Sequence, residues 1–305
     1  MNKIIHRLLL IILATITLVA CDKGNQFPDY SNGDWIYIPG GNLTVKTGVD
    51  NWIQINPQFG NETLKQKSYT WEIQDPTLAK LEPSENNSVV VTGLKEGATL
   101  LKLQSTDGQN LVYANIKVEK GYTVTEPVFI DFGMTASSAP FNSLTDPKFD
   151  GAAPLKDIKD AETGYTIQIE NSEKFKSLDR GIRNNLGFPI EVSRDMFFND
   201  GIKVSQSSLR IKGFNPRLKY TFILYGAIND NSYVETQYTL KGAETGKRVL
   251  NVGGSNPDRT VSFEEVSPDN NGDFLLSLTY GPKNNQWAKF YCISAMIILP
   301  QGYQQ

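Results

Sequence analysis

From about Asp34 to the end, short apolar or alternating runs are separated by clusters of Gly, Asn, Asp and Pro. No stretch keeps the three-to-four-residue apolar spacing of an amphipathic helix. In "YTWEI" the residues Tyr69, Trp71 and Ile73 fall on one face and Thr70 and Glu72 on the other, the period-two pattern of a half-buried strand. That pattern predicts all-β sandwiches. A first block, 34–119, holds the runs "DWIYI", "NLTVKTG", "WIQINP", "YTWEIQ", "SVVVTGL", "ATLLKLQS" and "VYANIKVE". A linker, 120–127, ends at Pro127, which cannot donate to a sheet ladder and suits a strand start. A second block, 128–300, holds "VFIDFG", "YTIQIE", "SLRIKGF", "KYTFILYGA", "VETQYTLKG", "KRVLNVGG", "TVSFEEV", "DFLLSLTYG" and "FYCISAMIIL". The last run does not alternate, as expected of a strand covered on both faces.

The first 20 residues follow another pattern. Lys3, His6 and Arg7 precede an apolar run from Leu8 to Val19. At about 12 residues it is too short to span a bilayer as a helix, which needs about 20, and it reads as a secretory signal. The close "LVAC" resembles the bacterial lipobox. The resemblance implies a signal peptide over 1–20, cleavage before Cys21, lipid on that cysteine, and a membrane anchor. An ordinary signal with a chance cysteine is the alternative. Residues 21–33, polar with Gly and Pro, then read as a tether.

Removing the signal changes the charge picture. Loss of Lys3 and Arg7 from 30 Lys+Arg leaves 28 against 33 Asp+Glu, a formal charge of −5. No basic patch stands out, which argues against a nucleic-acid partner. The single histidine, His6, goes with the signal. A Ser-His-Asp or Cys-His system and the usual His-bearing zinc sites are thereby excluded. Cys292 lies in an apolar run and reads as a buried free thiol. Carboxylate chemistry survives, but Glu264 and Glu265, adjacent on a strand, are expected on opposite faces.

The stretch from "YTWEIQ" through "VTGLKEGATLLKL" to "YANIKVE" resembles bacterial Ig-like and PKD-like domains, which implies a spacer sandwich with Trp71 in its core. The second block resembles a galactose-binding-like, carbohydrate-binding-module-like jelly roll of secreted Bacteroidetes proteins. The likeness rests on "VFIDFGMTASSAPFNSLTDP", "LRIKGFNPRLKYTFILYGA", "ETQYTLKG", "VSPDNNGDFLLSL" and "NNQWAKFYCISAMIIL". It implies that "VFIDFG" pairs with the last strand. In the turn between strands, Asn215-Pro216 presets the geometry, and Tyr220 and Phe222 fill one face of the next strand.

Four stretches are expected as loops bearing a sugar site: an aromatic ring for the apolar sugar face, with amides and arginines for the hydroxyls. They offer Phe141, Asn142 and Asp146; Asp179, Arg180, Arg183 and Asn184; Asn229, Asp230, Asn231 and Tyr233; and Asn284, Asn285 and Trp287. Trp287 reads either as a ring platform at the rim or as a plug closing the core. Arg180 and Arg183 converge if their segment is a short helix. "DNNGD" reads as an Asn-Gly hairpin turn rather than an EF-hand; no cofactor is expected, and a structural calcium site of another kind is left open. The leading expectation is a lipid-anchored outer-membrane lipoprotein that binds a polysaccharide or oligosaccharide without catalysis. Its side of the membrane is left open. The alternatives are an assembly lipoprotein gripping an envelope protein partner, and a carboxylate-based glycosidase or lyase.

Overall fold

The computed structural model describes residues 33–48, 51–170, 174–180, 183–254 and 256–303. The lipidation reading at Cys21 lies outside the described residues. The chain divides between Gly121 and Tyr122 into two compact units, nearly all β.

Unit 1 is built from β1 (Ile36–Tyr37), β2 (Asn42–Lys46), β3 (Ile53–Ile55), β4 (Gln58–Phe59), a one-turn helix α1 (Glu62–Gln66), β5 (Tyr69–Ile73), β6 (Ala79–Pro83), β7 (Val89–Gly93), β8 (Gly97–Ser105) and β9 (Leu111–Glu119). One sheet runs β2-β9-β8-β5, a second β3-β7-β6, and β1 pairs with β4. Alternation places Ala114, Ile116 and Val118 of β9 inside with Val89, Val91, Leu101 and Leu103, while Leu111, Tyr113, Asn115 and Lys117 face outward. Trp71 packs on this core, its indole N–H donating to the Asn87 carbonyl at 2.8 Å. The sequence pattern missed β6, whose "AKLEP" is poor in strand formers, and α1, whose only buried side chain is Leu64. Asn61 caps α1 by accepting the Leu64 N–H at 2.8 Å.

Unit 2 comprises β10 (Val128–Phe132), β11 (Phe141–Leu144), β12 (Ala153–Lys156), β13 (Glu162–Ile169), β14 (Lys176–Asp179), α2 (Ile190–Arg194), β15 (Asp195–Asn199), β16 (Ser207–Lys212), β17 (Tyr220–Tyr225), β18 (Glu235–Lys241), β19 (Thr245–Asn251), β20 (Thr260–Val266), β21 (Phe274–Tyr280), β22 (Tyr291–Ile293) and β23 (Ala295–Pro300). A five-stranded sheet runs β11-β10-β23-β17-β20, a six-stranded sheet β12-β13-β16-β21-β18-β19, and a small sheet β14-β15-β22. β10 lies antiparallel to β23, the first-to-last pairing that the resemblance implied. Between the sheets Phe214 stacks on Tyr165 at 4.2 Å and meets Phe274 edge-on at 5.0 Å, with Phe222 against Phe274 at 4.8 Å. Tyr220 and Phe222 are buried side by side on one face of β17, and Asn215 shapes the turn before them by accepting the Arg217 N–H at 3.0 Å.

The sequence pattern did not single out β12, β14, β15 or α2, and four of its specific readings are corrected in this unit. "FYCISAMIIL" is two strands, not one: the chain leaves the small sheet at Ile293 and joins the five-stranded sheet at Ala295, with buried Ser294 between. Apolar residues flank Ser294 on both sides, so one buried serine is the only polar sign of the change of sheet. "FNSL" is not a loop but β11, pairing in parallel with β10. "DNNGD" is not a hairpin, because β20 and β21 belong to different sheets; Asp269 Oδ1 accepts the Asn271 and Asp273 N–H groups, both at 2.9 Å, to make the crossing. Glu264 and Glu265 do not alternate: a register shift opposite β17, with Glu265 at φ 52°, leaves both exposed.

Cys292 is buried as a free thiol, and burial pushes its pKa up to about 12.

Candidate ligand-binding site

The segment 281–290, which joins β21 to β22, is closed by its own polar groups. Gly281 donates its N–H to the Glu235 carbonyl at 2.7 Å, and a Cβ there would lie 2.5 Å from Glu235 Cγ, so the approach requires glycine. Asn284 is buried. Its amide N–H₂ donates to the carbonyls of Glu235 (3.0 Å) and Phe290 (2.7 Å), and its Oδ1 accepts the Gln286 N–H at 3.1 Å. Buried Gln286 accepts the Ala288 N–H at 2.7 Å, and Lys289 Nζ donates to the Asn284 carbonyl at 2.5 Å. Asn284, Gln286 and Ala288 thus point in, and Asn285 and Trp287 point out.

Trp287 is 82% exposed. It is a platform candidate and not a core plug, the reading left open by the sequence. Its ring leans on Phe290 at 6.2 Å, and Phe290 meets Phe198 edge-on at 5.3 Å, so the indole rests on anchored rings. Asn285 ties in the neighbouring loop: its N–H donates to the Tyr233 carbonyl at 3.0 Å, and its Oδ1 accepts the Tyr233 N–H at 2.8 Å. Its amide N–H₂ makes no hydrogen bond among the described residues. Tyr233 is 39% exposed. Trp287, Asn285 and Tyr233 are therefore brought together.

A third loop, 200–204, was missed in the sequence. Asp200 Oδ1 accepts the Ile202 and Lys203 N–H groups at 3.0 and 3.3 Å. A Cβ on Gly201 would meet the Lys289 carbonyl at 2.5 Å and the Tyr280 ring at 2.7 Å, so the bare backbone lies directly against the Trp287 loop. This leaves Ile202 67% exposed beside Lys203. The signal was present: in "DGIKV" a lone Ile sits between a turn glycine and a lysine.

The remaining predicted residues are placed otherwise. Asn142 sits on β11 and spends its side chain on backbone: its N–H₂ donates to the carbonyls of Phe129 and Lys156, each at 2.8 Å, and its Oδ1 accepts the Lys156 N–H at 2.9 Å. It pins strands and has nothing left for a hydroxyl. Asn284 is corrected on the same ground. Asn184 likewise bonds Phe188 and Ser193. Arg180 and Arg183 are both exposed, and none of the described residues between Asp179 and Asn185 is helical. Arg180 joins the Tyr233 loop through its carbonyl, which accepts the Asn229 N–H at 2.6 Å. Arg183 leads instead into the 184–188 turn, whose Phe188 packs on Phe141 at 5.6 Å and Tyr225 at 6.1 Å.

Unit 2 also holds two buried carboxyls that the sequence did not single out, Asp131 on β10 and Asp195 on β15. Asp195 Oδ2 accepts the N–H groups of Met134 (2.7 Å) and Thr135 (2.8 Å), and Asp131 Oδ2 accepts the Ser137 hydroxyl at 2.8 Å. Each keeps one oxygen without a partner. Burial pushes Asp131 up to about 6 against the Ser137 hydrogen bond, and the charge of Asp195 adds to the rise; burial also raises Asp195. They hold the 134–137 segment from beneath. Among the described residues, no group of three or more His, Cys, Asp or Glu is arranged to hold a metal ion.

No protein-family model matches the chain, and no curated protein matches it. Among solved structures it is similar to Bacteroides uniformis beta-glucuronidase 2 (8% identity, TM-score 0.37, covering 87% of this chain and 30% of that one). It is similar to the CBM51-2 and INT domains of Clostridium perfringens ZmpB, in complex with GlcNAc (12% identity, TM-score 0.29, 88% of this chain and 49% of that one). It is also similar to a carbohydrate-binding module of the beta-sandwich superfamily (8% identity, TM-score 0.23, 87% and 94%). The chain spans less than half the length of the first structures it matches, domains 4 and 5 of the S-layer protein SbsC among them (20% identity, TM-score 0.23, 28% of this chain and 44% of that one).

Proposed function

We propose that unit 2 binds a glycan at the rim formed by Trp287, Asn285 and Tyr233, without catalysis. In the same reading the chain is a cell-envelope lipoprotein held through Cys21, with unit 1 as the spacer. The observation that carries it is Trp287 itself: a large ring, 82% exposed, seated on Phe290 within a loop that buried Asn284 and Gln286 hold in place. A sugar ring laid on the indole desolvates its C–H face, while the Asn285 amide and the Tyr233 hydroxyl lie within the same rim to meet its hydroxyls. The non-catalytic part rests on the acids beside the rim, since Glu235 and Asp200 are buried and accept backbone N–H groups. The test is a glycan microarray probed with the full chain, alongside membrane partition of Cys21→Ala. Binding to a defined glycan class and release of the variant from membranes are expected. Silence across plant, host and microbial glycans contradicts the first part; unchanged membrane retention contradicts the second.

One observation favours a second reading, a protein partner. Ile202 is 67% exposed beside the same loop, which enlarges the apolar patch beyond one ring. Ile202→Ser separates the two: it abolishes protein capture while leaving sugar binding through Trp287 in place.

A further inference from the structure

The charges around the rim are sorted by sign. Three acids of its loops are turned to backbone: Asp200 is 8% and Glu235 5% exposed, and half-buried Asp230, three positions before Tyr233, accepts the Ser232 N–H at 2.7 Å. Asp200 accepts the Ile202 and Lys203 N–H groups, and Glu235 Oε2 accepts the Lys283 N–H at 2.8 Å. The lysines of the same loops face outward. Lys283 is exposed, four positions before Trp287, with no ion pair among the described residues. Lys203 is three-quarters exposed, and its only ion pair among the described residues is a loose 3.8 Å contact with Asp200. Lys289 spans the base of the loop, with Nζ on the Asn284 carbonyl. A chain of acidic balance, 30 Lys+Arg against 33 Asp+Glu, thus presents cations around the most exposed ring of the described residues.

We infer that the ligand of this rim is an anionic glycan, its charge carried by carboxylate or sulfate groups. The inference rests on the glycan reading above and adds the charge of the sugar to it. Stacking on Trp287 supplies most of the affinity, and the two exposed ammonium groups of Lys203 and Lys283 select charged sugars over neutral ones. An exposed lysine–anion contact is worth up to about 1 kcal/mol, so two contacts give a preference of about 10-fold. Such contacts are screened by salt, whereas stacking is not.

The test is calorimetric titration of the full chain with two matched pairs. One is tetragalacturonate against its methyl ester; the other is a sulfated galactan tetrasaccharide against its desulfated form. The inference expects the charged member of at least one pair to bind about 10-fold tighter at low salt. That advantage shrinks several-fold at about 0.5 M salt. The double variant Lys203→Gln/Lys283→Gln is expected to lose the advantage and keep binding of the neutral member. The pair that shows the preference tells carboxylate from sulfate. Equal binding within both pairs, or tighter binding of the neutral members, overturns the inference while the glycan reading stands. Absence of binding to all four probes overturns the inference, and the glycan reading falls with it only if the microarray is also silent.

Discussion

Both units expose aromatic side chains, but they hold them differently. In unit 1 Tyr113 stands on the outer face of β9, opposite Lys102 of β8, where any outward position of a regular sheet stands. In unit 2 Trp287 stands on a loop in which Asn284 and Gln286 are buried to hold it. The first ring is exposed because strands alternate; the second is exposed because buried hydrogen bonds force it out. The acids differ in the same way. In unit 1 Asp107 is solvent-facing, and hydrogen bonds from Lys67, Ser105 and Gln109 hold it below the usual carboxylate range. In unit 2 Asp131 is buried and pushed up to about 6. Unit 1 is a plain sandwich with a solvated surface. Unit 2 spends buried polar groups on shaping loops, and that is where a site is built.

The sharpest break is expected in the interior of unit 2. Phe274 meets Phe214 and Phe222, and Phe274→Ala should cost about 3–5 kcal/mol. Calorimetry of the full chain should show the loss in the transition of unit 2. A loss below about 1 kcal/mol would mean that the aromatic cluster does not hold the sandwich together.

Next in size is the pH response of Asp131 and Asp107, whose signs are opposite. Asp131 takes up its proton more readily folded than unfolded, because its folded value of about 6 exceeds 3.8. Its contribution is therefore fully present below about pH 4 and is lost as pH rises toward 6, a change of about 1–3 kcal/mol. Asp131→Asn should flatten the melting temperature of unit 2 between pH 4 and 7. Asp107, depressed when folded, contributes above its unfolded value and loses that contribution as pH falls below about 4. Melts of unit 2 that rise steadily from pH 4 to 7, unchanged by Asp131→Asn, would contradict the burial account.

A smaller effect separates neighbours in the loop. Asn284→Ala removes the side-chain donor from the carbonyls of Phe290 and of Glu235, the latter keeping the Gly281 N–H, and should cost about 1–3 kcal/mol, weakening binding through a loosened Trp287. Asn285→Ala removes one exposed hydrogen bond, from the Tyr233 N–H, and should cost about 0.5–1 kcal/mol, less than Asn284→Ala, while weakening ligand binding through its lost amide and a loosened Tyr233. Paired melts and titrations check both, and reversal of the order would overturn the division of roles.

How much of this was legible depended on how local the cause was. Alternation in "YTWEI" and "LVYANIKVE" reads directly because the period of two is written in neighbouring residues. β11 was missed because Phe141–Leu144 is half-buried at every position and owes its strand form to pairing with β10. The split at Ser294 was hidden by burial on both sides. At the site, the stretches holding Trp287 and Tyr233 were found from composition, but three asparagines, Asn142, Asn184 and Asn284, were assigned the wrong duty. An asparagine in a polar loop looks the same whether its amide meets solvent or a distant carbonyl. Asn284 meets Glu235, 49 positions away in sequence. Lys283 and Ile202 were missed because their importance comes from what lies beside them in space.

The central claim is that a ring pushed out by its loop is there to bind. It is tested most directly by Trp287→Ala, with affinity for the best microarray ligand and thermal melting measured on the same sample. Loss of a stacking anchor commonly costs 2 kcal/mol or more, a weakening of about 30-fold. At 82% exposure the indole supports little of the core, so the melting temperature should stay nearly constant. Unchanged affinity in a fully folded variant would contradict the account, and so would a fall in affinity that only mirrors a fall in stability.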